Sequence, residues 1–368
     1  MSYLMPTYHA PDFSENRFIH APDAKTAICD IDGVAPDNYH STSIYPEYFK
    51  IRGVWLLAEE SRMDSAVVIR ENGVLDVIEM RNLRIGDEVI LGRRENCEDG
   101  IFLHADGFIG KEGSKDQFAF RQGRSRETAF SWDYDNLYNL LLNERQYGNV
   151  VWVMGPAFAF DFDSRRAMQL LVENGFVHGV LAGNALATHD LEGGYLHTAL
   201  GQDIYTQKSI PYGHYNHLDT INAVRRSGSM PQFIKDYNIK DGIMYSIINN
   251  NVPYVLTSSI RDDGPLPEVI HSAYDGQEAM RSILRKATTV ICLATQLHTI
   301  AAGNMTPCFR VVNGKIRPLL VYCVDISEFA TNKLSDRGSL SVVSIVTNVQ
   351  DFIVNVARGV GALETAKQ

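Results

Sequence analysis

From Asn149 onward, short apolar runs alternate with segments of helical periodicity. This alternation is typical of a parallel sheet with crossover helices. The clearest unit is a strand at residues 150–154, a helix at 164–174 that ends at Gly175, and a strand at 176–181. Further strands are predicted at 253–257, 289–294, 318–324 and 341–346, and further helices at 218–226, 277–286 and 349–357.

The N-terminal region is patterned as β structure instead. Residues 65–70 and 74–80 are rich in β-branched side chains and flank Asn72-Gly73, a pair that favours a tight hairpin turn. A turn at Gly86-Asp87 leads into a predicted short strand at 88–91. The pattern therefore predicts antiparallel strands before the parallel sheet begins.

A segment at 107–131, rich in Gly, Ser and charge, separates the two patterns and indicates a linker or a long surface loop. With 368 residues the chain is long enough for two domains, each with its own core. We predict an N-terminal β-rich domain over 1–125 and a C-terminal α/β domain over 126–368.

Composition narrows the class of protein. The formal charge of -10 disfavours nucleic acid and anionic membranes as partners. No run approaches the ~18 apolar residues of a membrane helix, and residues 1–18 lack an apolar signal core, so a cytoplasmic location is expected. The five cysteines lack the close pairing of a zinc site or disulfide framework, and Cys292 and Cys323 are predicted to be buried thiols. His214 and His217 have the spacing of metal ligands but no third ligand, so no metal site is predicted.

We look for binding and catalytic residues directly after the predicted strands, because ligands of open parallel sheets bind outside the carboxyl ends of the strands. Small or polar residues stand there: Gly155-Pro156, Ala182-Gly183-Asn184, His189-Asp190, Arg261-Asp262-Asp263, His298 and Gly303-Asn304. Small residues let backbone amides approach a pyrophosphate, so a dinucleotide is plausible. No GxGxxG follows a strand and no GxxxxGK[ST] occurs, so any NAD site must be of another design.

Several of these residues have two interpretations. Asp325 closes an apolar run and fits either a ribose-binding acid or a helix N-cap. In residues 261–263, Arg261 fits a carboxylate or phosphate and the two aspartates fit cationic amines, but a solvated turn is equally compatible. His298 and His189 are candidate proton carriers or structural histidines.

A set of ordered motifs resembles one family, the LOR/SDH-type (archaeal-type) ornithine cyclodeaminases, which also form the second half of bacterial arginine dihydrolase fusions. The C-terminal motifs are residues 151–155, 181–190, 242–245, 259–267, 297–304, 324–326 and 336–339. The N-terminal motifs are 39–42, Trp55, 62–64 and 85–87. The resemblance covers nearly the whole chain.

The resemblance implies a C-terminal NAD-binding domain like that of deoxyhypusine synthase, and a homodimer or homotetramer. It implies cofactor contacts from Gly155, Pro156, Ala182, Gly183, Asn184, His189, Asp190, Gly242, Met244, Gly303, Asn304, Asp325, Arg337 and Ser339. The catalytic candidates are Asp262, Asp263 and His298, and the substrate-binding candidates are Arg62, Met63, Asp64 and Arg261.

The implied reaction is the redox-neutral conversion of ornithine to proline and ammonia. In it, NAD⁺ takes a hydride from the α-carbon of ornithine, and the retained NADH returns a hydride to the cyclic imine. Two alternatives stay open: an imine- or opine-type amino acid dehydrogenase with net redox turnover, and a non-catalytic sensor that keeps NAD. Two departures from the family pattern, Ile44 and Ser65, fall in the domain expected to face substrate. They leave open whether lysine or diaminobutyrate replaces ornithine.

Overall fold

Two antiparallel sheets form the N-terminal part of the molecule. The computed structural model describes residues 3, 5–108, 131–262, 264–327 and 342–363. One sheet has the order β1-β6-β4-β5 and the other β3-β2-β7. Their elements are α1 (Asn16–Ile19), β1 (Lys25–Ile28), β2 (Glu47–Ile51), β3 (Val54–Leu57), β4 (Ala66–Ile69), β5 (Leu75–Ile78), β6 (Glu88–Leu91) and β7 (Ile101–Leu103).

A six-stranded parallel sheet forms the centre of the C-terminal part. Its strands are β8 (Val150–Met154), β9 (Gly179–Gly183), β12 (Tyr254–Thr257), β13 (Thr289–Leu293), β16 (Leu320–Asp325) and β17 (Val342–Val346). The helices are α2 (Ser131–Tyr147), α3 (Phe162–Glu173), α4 (Asn184–Leu196), α5 (Asn216–Ser227), α6 (Met230–Asp236), α7 (Ile243–Asn249), α8 (Ala273–Leu284), α9 (Gln296–Met305) and α10 (Val349–Gly359). Two small hairpins complete it: β10 (Thr198–Ala199) with β11 (Gln202–Asp203), and β14 (Phe309–Val312) with β15 (Lys315–Pro318).

The apolar runs at the centre of the sheet become strands that are buried on both faces. All residues of β8 and β13 are buried. Because side chains alternate across a strand, Trp152 and Met154 enter one apolar core cluster while Val151 and Val153 enter another on the opposite face. The predicted α/β class is therefore confirmed, with helices covering both faces of the sheet.

The order of the strands, β12-β9-β8-β13-β16-β17, decides where a ligand can bind. Counted from β8 in chain order this is 3-2-1-4-5-6, with the direction of strand addition reversing between β8 and β13. Such a reversal opens a crevice at the carboxyl edge of a parallel sheet. We call this edge, lined by the residues that follow each strand, the carboxyl edge.

Most predicted elements are confirmed within two or three residues, whereas the helix predicted at 277–286 starts four residues earlier, at Ala273, after its N-cap Ser272. The predicted hairpin exists as β4 and β5, with Gly73 in the left-handed region (φ +77) that its turn requires. The strand predicted at 176–181 starts late, at Gly179. The amide of Phe176 still donates to Leu171 O, and thus closes helix α3, while that of His178 already donates to Val150 O.

The N-terminal sheets pack against α8 and the β14–β15 hairpin. Ile44 and Met63 meet Cys308 and Phe309 in one apolar cluster. Ile44 is buried there, and Ser65 is buried where its hydroxyl accepts a hydrogen bond from a neighbouring arginine. Both departures from the family pattern are therefore packing positions, and the expectation that their domain faces substrate stays a prediction.

Two further predictions concern the chain as a whole. All five cysteines are free and buried. No helix in the described ranges is long and apolar enough to cross a bilayer. The boundary between 125 and 126, and the predicted linker from 109 onward, lie outside the described residues and stay predictions.

Candidate active site

Two helices begin at the carboxyl edge without the side-chain caps found elsewhere. Helices α3, α6, α8 and α10 each start with a side chain that accepts an amide hydrogen bond. Helices α4 and α9, which start directly after β9 and β13, have no such bond. Because the first-turn N–H groups of a helix have no intrahelical acceptor, these two helix ends retain donors suited to an anion.

His298, in the first turn of α9, is held by two threonines at this edge. Its Nε2 is hydrogen-bonded to Thr257 Oγ1 at 2.8 Å and its Nδ1 to Thr295 Oγ1 at 3.2 Å. Burial lowers the pKa of His298 below 6.5, and the charge of Asp262 opposes this shift. The ring is therefore neutral at pH 7, with one nitrogen donating and the other accepting.

Asp262 lies in the loop that follows β12 and is half-buried. Its Oδ2 accepts the amide of Ser259 at 2.7 Å, while Ser259 Oγ accepts the amide of Arg261 at 3.0 Å. These bonds fold residues 259–262 into a tight turn with Arg261 exposed. The negative charge of the Asp262 carboxylate acts on His298. The same charge can attract a cationic amine.

Glycines allow close approach at two points of the carboxyl edge. A Cβ on Gly155 would lie 2.0 Å from Ala294 O, so only glycine fits where β8 and β13 converge. A Cβ on Gly183 would lie 3.2 Å from the His298 ring. Pro156 continues the edge after Gly155 and is half-buried.

Other predicted cofactor residues are used inside the fold. Ala182 is buried in the main apolar cluster. Asn184 is buried, and its Oδ1 accepts the amide of Leu266 at 3.0 Å, which ties the β12–α8 loop to α4. These contacts position the edge, and the cofactor contacts that the resemblance implies for both residues stay a prediction.

Asp190 is also used inside the fold. It is buried, and its carboxylate accepts Arg165 Nε at 2.7 Å and the amides of Ile243 and Met244 at 2.9 and 2.7 Å. It therefore caps α7, whose preceding residue Gly242 has φ +115. Both oxygens of Asp190 are occupied by protein donors and Met244 is fully buried, so these residues anchor α7, and their predicted cofactor contacts stay a prediction.

His189 also has an internal partner. Its Nδ1 is hydrogen-bonded to Glu192 Oε2 at 2.9 Å, and the other oxygen of Glu192 accepts Thr198 Oγ1 at 2.8 Å. Glu192 is fully buried, and the His189 ring lies 5.2 Å from that of Phe160. Glu192 thus fixes the orientation of His189 beside the segment that follows β8.

Arg62 binds partners at the contact between the two parts of the chain. It is buried, bound to Glu79 and donating from Nε to Ser65 Oγ at 2.9 Å. Glu79 also accepts a hydrogen bond from Arg281 of α8 at 2.9 Å. Arg281 lies five residues after Gly276, which adjoins Thr257 at the end of β12. The guanidinium of Arg62 thus serves the contact between the two parts of the chain, and its substrate-binding role stays a prediction.

The remaining predicted residues are scattered or not described. Met63 joins the apolar cluster with Phe309, and Asp64 is exposed. Gly303 and Asn304 lie in the last turn of α9, roughly 12 Å along the helix from its start. Asp325 ends β16 at the carboxyl edge, where its Oδ1 accepts the amide of Ser327 at 2.9 Å. Asp263, Arg337 and Ser339 lie outside the described residues.

Sequence reasoning missed the partners that hold the site. The sequence analysis does not name Thr257 and Thr295 as site residues, although both stand at strand ends and both hold His298. Glu192 lies one helical turn from His189, a spacing that predicts contact. Arg165 and Glu79 gave no local indication, because their partners are distant in sequence.

The strand order and the polar carboxyl edge define a Rossmann-type α/β protein of the dinucleotide-binding class. A family model described as "Arginine dihydrolase ArgZ-like, C-terminal, Rossmann fold" matches residues 138–356. The ornithine cyclodeaminase of Methanocaldococcus jannaschii is 34% identical over 343 residues, which cover 90% of this chain and 77% of that protein. The chain therefore belongs to the LOR/SDH-type ornithine cyclodeaminase family.

Solved structures agree with this assignment. A LOR/SDH protein from Methanococcus maripaludis matches with a TM-score of 0.84 and 31% identity, covering 93% of this chain and 99% of the other. The ternary complex of AgrE with ornithine and NAD⁺ matches with a TM-score of 0.58 and 31% identity, covering 94% of this chain and 47% of AgrE. AgrE of Nostoc sp. is a bifunctional arginine dihydrolase/ornithine cyclodeaminase, so this chain spans about half of it.

Proposed function

We propose that this chain is an NAD-dependent ornithine cyclodeaminase that converts L-ornithine to L-proline and ammonia. The observation that carries the proposal is the position of His298: a neutral imidazole at the carboxyl edge, between Thr257 and Thr295 and within the electrostatic reach of Asp262. The family relatives named ornithine cyclodeaminase support the same reaction.

The carboxyl edge fits NAD on three grounds. The direction of strand addition reverses between β8 and β13, and parallel sheets bind nucleotides at the carboxyl edge beside such a reversal. The uncapped starts of α4 and α9 offer N–H donors for a pyrophosphate. Asp325 stands at the end of β16, where an acid can accept ribose hydroxyls. We assign the cofactor to this edge, beside Pro156 and Gly183.

When bound, NAD supplies a hydride acceptor for the α-carbon of the amino acid and returns the hydride at the end, so that the net reaction is redox-neutral. The chain's own residues must manage protons on two amines. His298 is neutral at pH 7 and can accept a proton from the substrate α-ammonium at the nitrogen that otherwise accepts a threonine hydroxyl.

Asp262 has a complementary task. Its carboxylate attracts the distal ammonium of a diamino acid and, by its charge, keeps a proton on His298 more stable once it has been transferred. The protonated imidazole can then return that proton to the departing ammonia. Asp262 accepts the amide of Ser259 and His298 is hydrogen-bonded to Thr257, and we assign these two held side chains a joint role in proton transfer.

The test is product analysis with the purified protein, NAD⁺ and a panel of ornithine, lysine and diaminobutyrate. Proline and ammonia from ornithine, with no net change in NADH absorbance, are the expected result. Steady accumulation or consumption of NADH would favour an imine- or opine-type dehydrogenase. No ammonia from any diamino acid would contradict the proposal and favour a sensor that retains NAD.

A further inference from the structure

A buried glycine lies inside helix α8, which begins shortly after β12. Gly276 is the fourth residue of this helix. Glycine weakens the interior of a helix, because its backbone loses more conformational freedom on folding than that of any other residue. Local helix tendency therefore disfavours glycine at this position, and the reason for it must lie in what the residue contacts.

The side chain of Thr257, at the end of β12, fills the space that a side chain at position 276 would need. A Cβ on Gly276 would lie 2.9 Å from Thr257 Cγ2, well inside the ~3.5–4.0 Å at which carbon atoms pack. It would also lie 3.7 Å from Thr257 Cβ and 4.0 Å from Ile270 Cγ2. The Thr257 methyl group is therefore seated against the bare backbone of Gly276.

The segment that leads into α8 is bound to the end of β12, which fixes this contact. The amide of Ser258 donates to Ile270 O and the amide of Ile270 donates to Leu256 O, both at 2.9 Å. Helix α8 then begins at Ala273. The methyl group and the glycine thus stay together unless these hydrogen bonds break.

The same threonine holds His298. Its Oγ1 is hydrogen-bonded to His298 Nε2 at 2.8 Å. Because Oγ1 and Cγ2 are attached to one Cβ atom, rotation about χ1 moves both of them together. A contact that fixes the methyl group of Thr257 therefore also fixes the direction of its hydroxyl group.

We propose that Gly276 is a positioning residue for the reaction, because it seats the Thr257 methyl group so that the Thr257 hydroxyl group is directed at Nε2 of His298. Gly276 acts through Thr257 and is assigned no contact with substrate or cofactor. The inference rests on the proposed function for its effect on turnover, whereas the state of the His298 ring can be measured without any reaction.

A double-mutant cycle between the two residues tests the proposal. Gly276→Ala should lower kcat for ornithine by about tenfold, because the added Cβ forces the hydroxyl group away from the imidazole. Thr257→Ser keeps the hydroxyl group but removes the methyl group, and should lower kcat by about threefold because the hydroxyl group can then rotate. The double variant should be no slower than Thr257→Ser, since the alanine Cβ then takes the place of the lost methyl group. Independent effects would multiply to roughly 30-fold, and that result would overturn the proposal.

The second readout does not involve turnover. The nitrogen NMR signals of the His298 ring report which nitrogen carries the proton, and they approach each other when the ring exchanges between its two neutral forms. They should approach each other in Gly276→Ala and, in the double variant, lie where they do in Thr257→Ser. Unchanged signals in Gly276→Ala would overturn the proposal, whether or not the protein makes proline from ornithine. Changed signals without proline formation would instead overturn only the proposed reaction.

Ser282→Ala is the matched control on the same helix, because the Ser282 side chain is exposed and its hydroxyl donates to Ala279 O within α8. Turnover and the His298 signals should be those of the intact chain, and a change as large as in Gly276→Ala would overturn the proposal. If Gly276→Ala does not fold, the double variant decides. It should fold with the His298 signals of Thr257→Ser, and its failure to fold would also overturn the proposal.

Discussion

The carboxyl edge and the contact between the two parts of the chain both contain ionisable side chains, but these side chains are used differently. At the contact, the single carboxylate of Glu79 binds the guanidinium groups of Arg62 and Arg281. At the edge, His298 is held by hydroxyls, and Asp262 is only half-buried. Opposite charges that satisfy each other stabilise a structure, whereas a polar group held only by neutral partners can still exchange protons with a ligand.

The largest effect that would sharpen this comparison is on turnover. Asp262→Asn and His298→Asn should each reduce ornithine turnover by about 10²–10⁴-fold, because each removes a proton carrier or its electrostatic partner. NAD should still bind, since neither residue is assigned to the cofactor. The measurements are ammonia release and an NAD titration of each variant.

Near-normal turnover in both variants would contradict the assignment of the edge as the reacting site. Loss of NAD binding along with turnover would instead move these residues to the cofactor. Ser258→Ala offers a control in the same loop, because the Ser258 hydroxyl donates to His271 O and does not contact His298.

The second effect is on stability and concerns the contact. Glu79→Gln should lower the free energy of unfolding by about 3–5 kcal/mol, because it leaves two buried guanidinium groups without a counter-charge. Burial and the neighbouring charge of Arg281 already lower the pKa of Arg62 to about 9. The charged form of Arg62 is therefore less stable at this position than in water. Denaturant unfolding measures the change.

Glu278→Gln is the matched control, since this glutamate also binds an arginine across the contact but its side chain is 45% exposed. It should cost at most about 1 kcal/mol. Turnover per folded molecule should be unchanged in both variants. A stable Glu79→Gln protein without activity would restore Arg62 as a substrate-binding residue and break the comparison.

A smaller effect is expected from Gly183→Ala. The added Cβ would lie 3.2 Å from the His298 ring, so the ring must shift by a few tenths of an ångström away from it. We expect turnover to fall by about tenfold with little change in stability. Gly155→Ala is the contrast: its Cβ would meet a backbone oxygen at 2.0 Å, so it should destabilise the fold. Unfolding curves and kcat of both variants distinguish the two glycines.

The smallest effect is on pH dependence. Burial lowers the pKa of His298 below 6.5 and Asp262 opposes the shift, so Asp262→Asn should lower that pKa further. The acid limb of kcat/KM should therefore lie below pH 6.5 and move to lower pH in the variant. Because the unfolded chain binds this proton first, His298 also reduces stability as the pH falls below 6.5. An NMR titration of His298 checks the direction, and a shift to higher pH would contradict it.

The sequence by itself determined the elements whose causes are local. Continuous apolar runs such as residues 150–154 and 289–293 predicted strands buried on both faces, and Asn72-Gly73 predicted the hairpin between β4 and β5. The carboxyl edge could be predicted too, because polar residues that follow parallel strands must gather at one end of the sheet.

Only the tertiary structure decided which polar groups are free to act there. Asp190 follows a strand as His298 does, yet it caps a helix 53 residues later in the chain. Arg62 belongs to a family motif but closes an ion pair with Glu79 against α8. Strand tendency depends on a few neighbouring side chains, whereas hydrogen-bond partners depend on which distant segments the core brings together. For that reason the polar carboxyl edge followed from the sequence, and the partners of its side chains did not.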